Sequence, residues 1–209
     1  MKTVFIVGGG GEYAELFKSL AITPVTDMSE ADLVCFTGGA DVSPELYGDA
    51  AHQCTCSAPS RDVFEKEVFI MAQRLGLQCV GICRGAQFLN CMSGGRMYQH
   101  VEGHTSDHGI TDLQTGEVVY VSSTHHQMMM PSKNGYLVAS SAIGGRREWF
   151  DGQVARSDVS DRDIEVVYYT HTNSLCFQPH PEFLSPEYEG MRLYFGRLVN
   201  RYLNGEIDT

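Results

Sequence analysis

Short apolar runs alternate with helical stripes through the first half of the chain, the arrangement of a parallel sheet covered by helices on both faces. Residues 4–7 predict a strand that runs into Gly8 to Gly11, after which Tyr13, Leu16, Phe17 and Leu20 fall on one helical face. Residues 32–37 predict a second strand, again closing on glycines, at Gly38 and Gly39. Between 60 and 75 the apolar positions Phe64, Val68, Met71 and Leu75 form one stripe of a longer helix, and residues 79–82 then predict a buried strand. A helix from about Arg84 follows and stops near Gly94 and Gly95. The second half is richer in strands, at 118–121, 136–140, 164–169 and 175–178. A last helix carries Met191, Phe195, Leu198, Val199 and Tyr202 on one face.

No internal repeat, low-complexity tract or linker divides the 209 residues, so one domain over 1–209 is expected. With 43% hydrophobic residues the chain can build a full core. The formal net charge is -11 and the Lys and Arg residues form no cluster, which excludes a footprint for nucleic-acid phosphates or anionic lipid. No apolar stretch approaches the roughly 20 residues that span a bilayer, and the first strand meets its glycines too early for a secretory signal. A cytoplasmic location is the expectation. Most of the seven cysteines sit inside apolar runs, as Cys35, Cys79, Cys91 and Cys176 do, and predict buried thiols in a reducing compartment.

Cys83 differs from these. Gly81-Ile82-Cys83-Arg84-Gly85 follows a buried strand and opens a helix, the context of a nucleophile elbow. The two glycines leave room for a sharp strand-to-helix turn that pushes the sulfur out over the carboxyl edge of the sheet. There the helix N-terminus favours thiolate. Cys54-Thr-Cys56, near His52, has the look of half a metal site, but no second pair of comparable spacing exists, and a loop with incidental thiols is expected.

Gln178-Pro179-His180-Pro181-Glu182 closes the last predicted strand. In an extended segment, residues two apart point to the same side, so His180 and Glu182 can lie together. Pro181 stiffens the pair and keeps His180 out of the helical region. A carboxylate bonded to one imidazole nitrogen leaves the other free for the thiol proton. Either segment alone is a weak signal. Together they supply the nucleophile, base and orienter that acyl transfer requires.

These residues resemble the class I glutamine amidotransferase-like superfamily, nearest its γ-glutamyl hydrolase branch (peptidase C26, including γ-glutamyl-γ-aminobutyrate hydrolases). The similarity covers most of the chain. Phe36 to Gly48 is similar to that branch's Gly-Gly-x-Asp-x-x-Pro-x-x-Tyr segment, and Arg61-Asp62 with Glu65 to its helix motif. Gly81 to Gln87, with Leu89-Asn90 and Gly94-Gly95, resembles its elbow and following helix. Ser123-Thr124-His125-His126-Gln127 resembles its Ser-x-His-His-Gln, Asp163-Ile-Glu165 its pre-terminal strand, and Gln178 to Glu182 its Gln-x-His-Pro-Glu. The resemblance implies an α/β fold, a flavodoxin-like three-layer sandwich with a mainly parallel sheet. It also implies a Cys83, His180, Glu182 triad that cleaves a glutamine-type amide.

On that reading the backbone N–H groups of Gly39 and Arg84 form the oxyanion hole. Gln87, one helical turn past Cys83, lines the substrate pocket. His125 and His126 have two readings, a bond to the substrate's amino-acid head or polar packing between strands, and one of them is expected in the pocket. The resemblance extends loosely to Thr170-His171-Thr172, a segment with a site role in related hydrolases. His104 and His108 are spaced i, i+4, but Gly103 and Gly109 argue against a helix that presents both to a metal, and solvated loop histidines are expected. The chemistry needs no metal or organic cofactor. The segment 144–160, with Arg146, Arg147 and Trp149, has no counterpart in the branch and is the candidate for leaving-group specificity.

Three functions fit. One is a stand-alone hydrolase of a small-molecule γ-glutamyl substrate. Another is a glutaminase subunit that passes ammonia to a synthetase or ligase in trans. The third is a silent amidotransferase-like binding module. Arg84 after the nucleophile and the His-His-Gln segment favour the hydrolase; all three triad positions are filled, which disfavours the module.

Overall fold

A computed structural model describes residues 2–203. Its first half builds β1 (Thr3–Val7), α1 (Gly11–Ser19), β2 (Thr23–Val25), β3 (Leu33–Phe36), α2 (Pro59–Arg74), β4 (Gln78–Ile82) and α3 (Arg84–Met92). Short strands β5 (Arg96–Tyr98) and β6 (His100–Val101) follow, then β7 (His108–Asp112), β8 (Val118–Val121), β9 (Met128–Met130) and β10 (Tyr136–Ser141). The chain continues through β11 (Gly145–Asp151), β12 (Val154–Ser160), β13 (Asp163–Tyr169), β14 (Ser174–Phe177) and α4 (Glu189–Leu198), which runs on into a wider turn to Leu203.

The nine-stranded central sheet has the order β2-β1-β3-β4-β14-β13-β10-β7-β8. From β2 to β14 the strands are parallel, and from β14 to β8 every pairing is antiparallel. Side-chain alternation in the central strands divides the core into two layers. Leu33 and Cys35 of β3, Val80 and Ile82 of β4, and Leu175 and Phe177 of β14 pack with Leu16 and Phe17 of α1 and Met191 and Phe195 of α4. Their neighbours Val34, Phe36, Cys79 and Cys176 pack with Phe69 and Ala72 of α2 and Phe88 and Leu89 of α3. The result is the three-layer α/β sandwich expected. Cys35, Cys79, Cys91 and Cys176 are buried free thiols.

Two features go beyond the sequence pattern. Of the α2 stripe, Phe64, Met71 and Leu75 are 52%, 43% and 51% exposed and Val68 alone packs against the core, while the buried face carries Asp62, Glu65, Phe69 and Ala72. The physical reason is the Arg84 guanidinium, buried under that face and held by both carboxylates. The segment 144–160, without a predicted element, is a hairpin: β11 and β12 pair over seven residues and β6 adds a third strand.

Register prepares the site. Val7 pairs with Phe36, Phe36 with Gly81, and Ile82 with Phe177, so β1, β3, β4 and β14 end nearly level. The segments that follow them all leave from one carboxyl edge, where open α/β sheets place their ligands. No helix among the described residues is long and apolar enough to cross a membrane.

Candidate active site

The turn from β4 into α3 forces Cys83 to φ 52°, ψ -113°, a conformation that costs a residue with a Cβ about 1–3 kcal/mol. Its neighbours allow nothing but glycine. A Cβ on Gly81 would collide with the Gly85 carbonyl, and one on Gly85 with the carbonyl oxygen of Phe36. Cys83 N–H donates to Phe177 O at 3.0 Å, and the Cys83 carbonyl accepts from Gln87 N–H at 3.1 Å to start the helix. The elbow is thus pinned to β14, the strand that delivers the histidine.

His180 is oriented from three sides. Its Nδ1 lies 2.7 Å from Glu182 Oε1, its backbone N–H donates to Ser122 Oγ at 3.0 Å, and its ring stacks on Phe183 at 4.8 Å and 7°. Cys83 and His180 meet across Gly38: a Cβ added there would lie 3.3 Å from His180 Cε1 and 3.7 Å from Cys83 Cβ. Burial works against the charged imidazole, but hydrogen bonds and charge from Cys83 and Glu182 prevail and push His180 up to about 10. Thr124 Oγ1, 3.0 Å from His180 Nε2, completes that nitrogen's surroundings.

The sign follows for pH. A raised imidazole is stabilised as the cation, an advantage complete below its unfolded value near 6.5 and lost as pH rises through about 10. A histidine NMR titration is expected to place His180 near that value, and Cys83→Ala is expected to lower it, since one of its two charge partners is gone. A His180 titration that Cys83→Ala leaves unmoved would show that the two side chains do not interact.

The glycine segment after β3 lies between Tyr13 and Arg61. Gly38 N–H donates to the Tyr13 hydroxyl at 2.9 Å, and burial with the nearby Glu182 charge pushes that phenol well up. Arg61 donates to the carbonyls of Gly38 and Thr37 at 2.9 and 3.0 Å. In a trans peptide the C=O and the following N–H point opposite ways. With the Gly38 carbonyl held by Arg61, the Gly39 N–H is directed away from it. Gly39 has φ 146°, and a Cβ there would collide with the Arg61 guanidinium.

Gly39, Cys83 and Arg84 line a cavity of about 230 Å³. That is smaller than the roughly 300–1,000 Å³ typical of drug-sized ligands and suits an amino-acid-sized one. Only the backbone of Arg84 faces this space, since its side chain is 1% exposed and paired with Asp62 and Glu65. Gln87 lines the cavity, but its amide nitrogen is engaged by Gln127 O at 3.1 Å and Gln178 Oε1 at 3.2 Å, which leaves its carbonyl oxygen. His125 and His126 both line it as well. His125 is buried and turned towards Glu165, whereas His126 is half-exposed, with Nε2 3.1 Å from Asp41 Oδ1.

His104 is not a solvated loop histidine. It is fully buried between Asp163 and Glu165, because the loop before β7 folds back over the start of β13. His108 sits at the edge of the same cluster, its side chain 8% exposed. His171 is exposed and packs edge-on against Tyr169; it does not line the cavity. Sequence reasoning gives no role to Tyr13, Asp41, Arg61 or Thr124. Asp41, Arg61 and Thr124 stand inside the motif segments, and Tyr13 two residues past the first glycine cluster.

Several known proteins are similar. A putative glutamine amidotransferase-like protein, YvdE, of Lactococcus lactis is 30% identical over 72% of this chain and 66% of its own length. The carbamoyl phosphate synthase small chain of Ralstonia nicotianae is 29% identical over 49% of this chain and 24% of its own. A glutamine amidotransferase from Thermotoga maritima has the same fold, with TM-score 0.61 at 10% identity over 96% of this chain and 84% of that one. The chain spans 42% to 66% of the length of three curated relatives. The Peptidase C26 family model matches residues 23–182, and with the elbow and sheet described above the chain belongs to that family, within the class I glutamine amidotransferase-like superfamily.

Proposed function

We propose that the protein hydrolyses a γ-glutamyl amide, the glutamine-type side-chain bond, through a γ-glutamyl thioester on Cys83. The observation that carries this reading is the strained Cys83 facing His180, itself fixed by Glu182 at 2.7 Å, on the wall of an amino-acid-sized cavity. In the first half-reaction the Cys83 sulfur bonds to the γ-carbonyl carbon, and the carbonyl oxygen takes the negative charge opposite the N–H groups of Gly39 and Arg84. His180, held as imidazolium, protonates the departing nitrogen as the C–N bond breaks.

Thioester formation removes the thiolate charge that helped to raise His180. The imidazole left behind is neutral and less shifted, so it can take a proton from water, which attacks the thioester and releases glutamate and the thiolate. Asp41 and His126, which contact each other on the cavity wall, are placed to bind the ammonium and carboxylate of the substrate's amino-acid head.

A second reading, a glutaminase subunit that delivers ammonia to a synthetase or ligase in trans, draws on the similarity to the carbamoyl phosphate synthase small chain. It also draws on the outward apolar face of α2, where Val63, Phe64, Ile70, Met71 and Leu75 are exposed. A panel of glutamine, γ-glutamyl amines and γ-glutamyl peptides, run with the protein alone, separates the two. Turnover of γ-glutamyl amines is the expected outcome. Turnover of glutamine alone would favour the second reading, and a Cys83 that a thiol-directed glutamine analogue leaves unlabelled would overturn both.

A further inference from the structure

We infer that His104, His125 and Glu165 form a site for a divalent transition metal, zinc by preference, behind the cavity wall that carries His125. Their ligand atoms all lie within 4.8 Å of one another, and the three side chains are 0%, 3% and 1% exposed. His104 Nδ1 is 3.1 Å from Glu165 Oε1, and His125 Nε2 is 3.6 Å from Glu165 Oε2. Four ligands at the usual 2.0–2.1 Å from zinc stand about 3.3 Å apart along the edges of a tetrahedron. The donor spacing is therefore that of a metal shell.

The unpartnered polar atoms point the same way. His125 Nδ1 donates to the Gln127 carbonyl, 2.8 Å away, and its Nε2 faces Glu165. At 3.6 Å the contact is too long for a hydrogen bond, and His125 Nε2, Glu165 Oε2 and His104 Nδ1 are buried with no hydrogen-bond partner among the described residues. Each such orphan costs about 1–3 kcal/mol. One metal ion would satisfy all three.

The outer ring nitrogens show the support expected of metal-bound imidazoles. His104 Nε2 is 2.9 Å from Asp163 Oδ2, a carboxylate behind a histidine ligand. His108 supports the carboxylate, with Nδ1 3.0 Å from the Ser106 carbonyl and Nε2 3.3 Å from Glu165 Oε1. Nitrogen-rich sets with one carboxylate suit zinc and its neighbours, not calcium or magnesium. The ion would clamp the loop before β7 and the segment before β9 onto β13. This role is independent of the thiol chemistry, which uses no metal.

Metal analysis of the full chain, purified without chelator or histidine tag, tests the inference. About one zinc per chain is expected, with a melting temperature that falls on chelation and recovers on zinc addition. Cobalt substituted for zinc is expected to give visible ligand-field bands without thiolate charge transfer. Glu165→Gln and His104→Gln should lose the metal and Cys54→Ser should keep it, which separates this site from Cys54, His100 and His126, the second group of ligand atoms within 4.8 Å. Folded wild-type protein that binds less than about a tenth of an equivalent of added zinc, a cobalt spectrum dominated by thiolate charge transfer, or metal lost in Cys54→Ser but kept in Glu165→Gln would each overturn it.

Discussion

Replacing Cys83 with alanine is expected to lower kcat/KM on γ-glutamyl amides by a factor on the order of 10⁴ or more, with only a modest fall in melting temperature from the lost contact with His180. Activity falls much further than stability because the sulfur's main partner is His180, while the rest of the elbow does not depend on it. The residue is 8% exposed on the cavity wall, and alanine keeps the Cβ, the backbone hydrogen bonds to Phe177 and Gln87, and the same φ of 52°. Cys83→Gly gives the complementary result. Without a Cβ the elbow loses its strain, so this variant should be equally inactive yet more stable than Cys83→Ala, by about 1 kcal/mol. Steady-state kinetics beside thermal denaturation of the three proteins checks both outcomes. An alanine variant with substantial activity would remove the thioester from the mechanism.

That elbow is legible because its constraints are local. Two glycines around one cysteine, at the end of an apolar run, specify a turn that few other sequences need, and the collisions awaiting a Cβ at Gly81 and Gly85 are the physical content of the motif. His180 and Glu182 are legible for a similar reason, since two residues of extended chain carry the whole relationship. Where sequence and structure part, the deciding partners are far apart in the chain. Periodicity assigns the stripe of Phe64 and Met71 to the interior, because apolar residues ordinarily decide which helix face is buried. Here Arg84, twenty-two positions from Asp62 and nineteen from Glu65, decides it instead. The glycines around His104 point to a solvated loop, whereas the carboxylates that bury it come from β13, fifty-nine positions away in the case of Asp163. No local pattern contains those pairings. The short strands outside the central sheet are harder to read for a related reason: β5, β6 and β9 are two or three residues long and find their place only through their partners.

Glu65→Ala is expected to cost about 3–5 kcal/mol of stability, the price of leaving one charge of a buried pair without its partner. At roughly 2–4 °C per kcal/mol for a chain of this size, the melting temperature should fall by about 6–20 °C. The geometry supports the upper class of ion-pair effects. Arg84 is paired with both Asp62 and Glu65, all three nearly inaccessible, and Glu65 also accepts from Arg61 Nε at 2.7 Å. Two cations and two carboxylates balance in that cluster, so loss of Glu65 leaves a net positive charge inside. The exposed pair of Arg197 and Glu117, also at 2.7 Å but with side chains 51% and 46% exposed, provides the control: Glu117→Ala should cost less than about 1 kcal/mol. Activity should suffer in Glu65→Ala as well. Arg61 holds the Gly38 carbonyl and so aims the Gly39 N–H, and without Glu65 the guanidinium loses one anchor. Glu65→Ala combined with Arg84→Met should cost less than the sum of the two single variants, because the second change removes the charge that the first left unpaired. Denaturant unfolding of the four proteins measures that coupling, and strict additivity would show that Arg84 and Glu65 stabilise the fold separately.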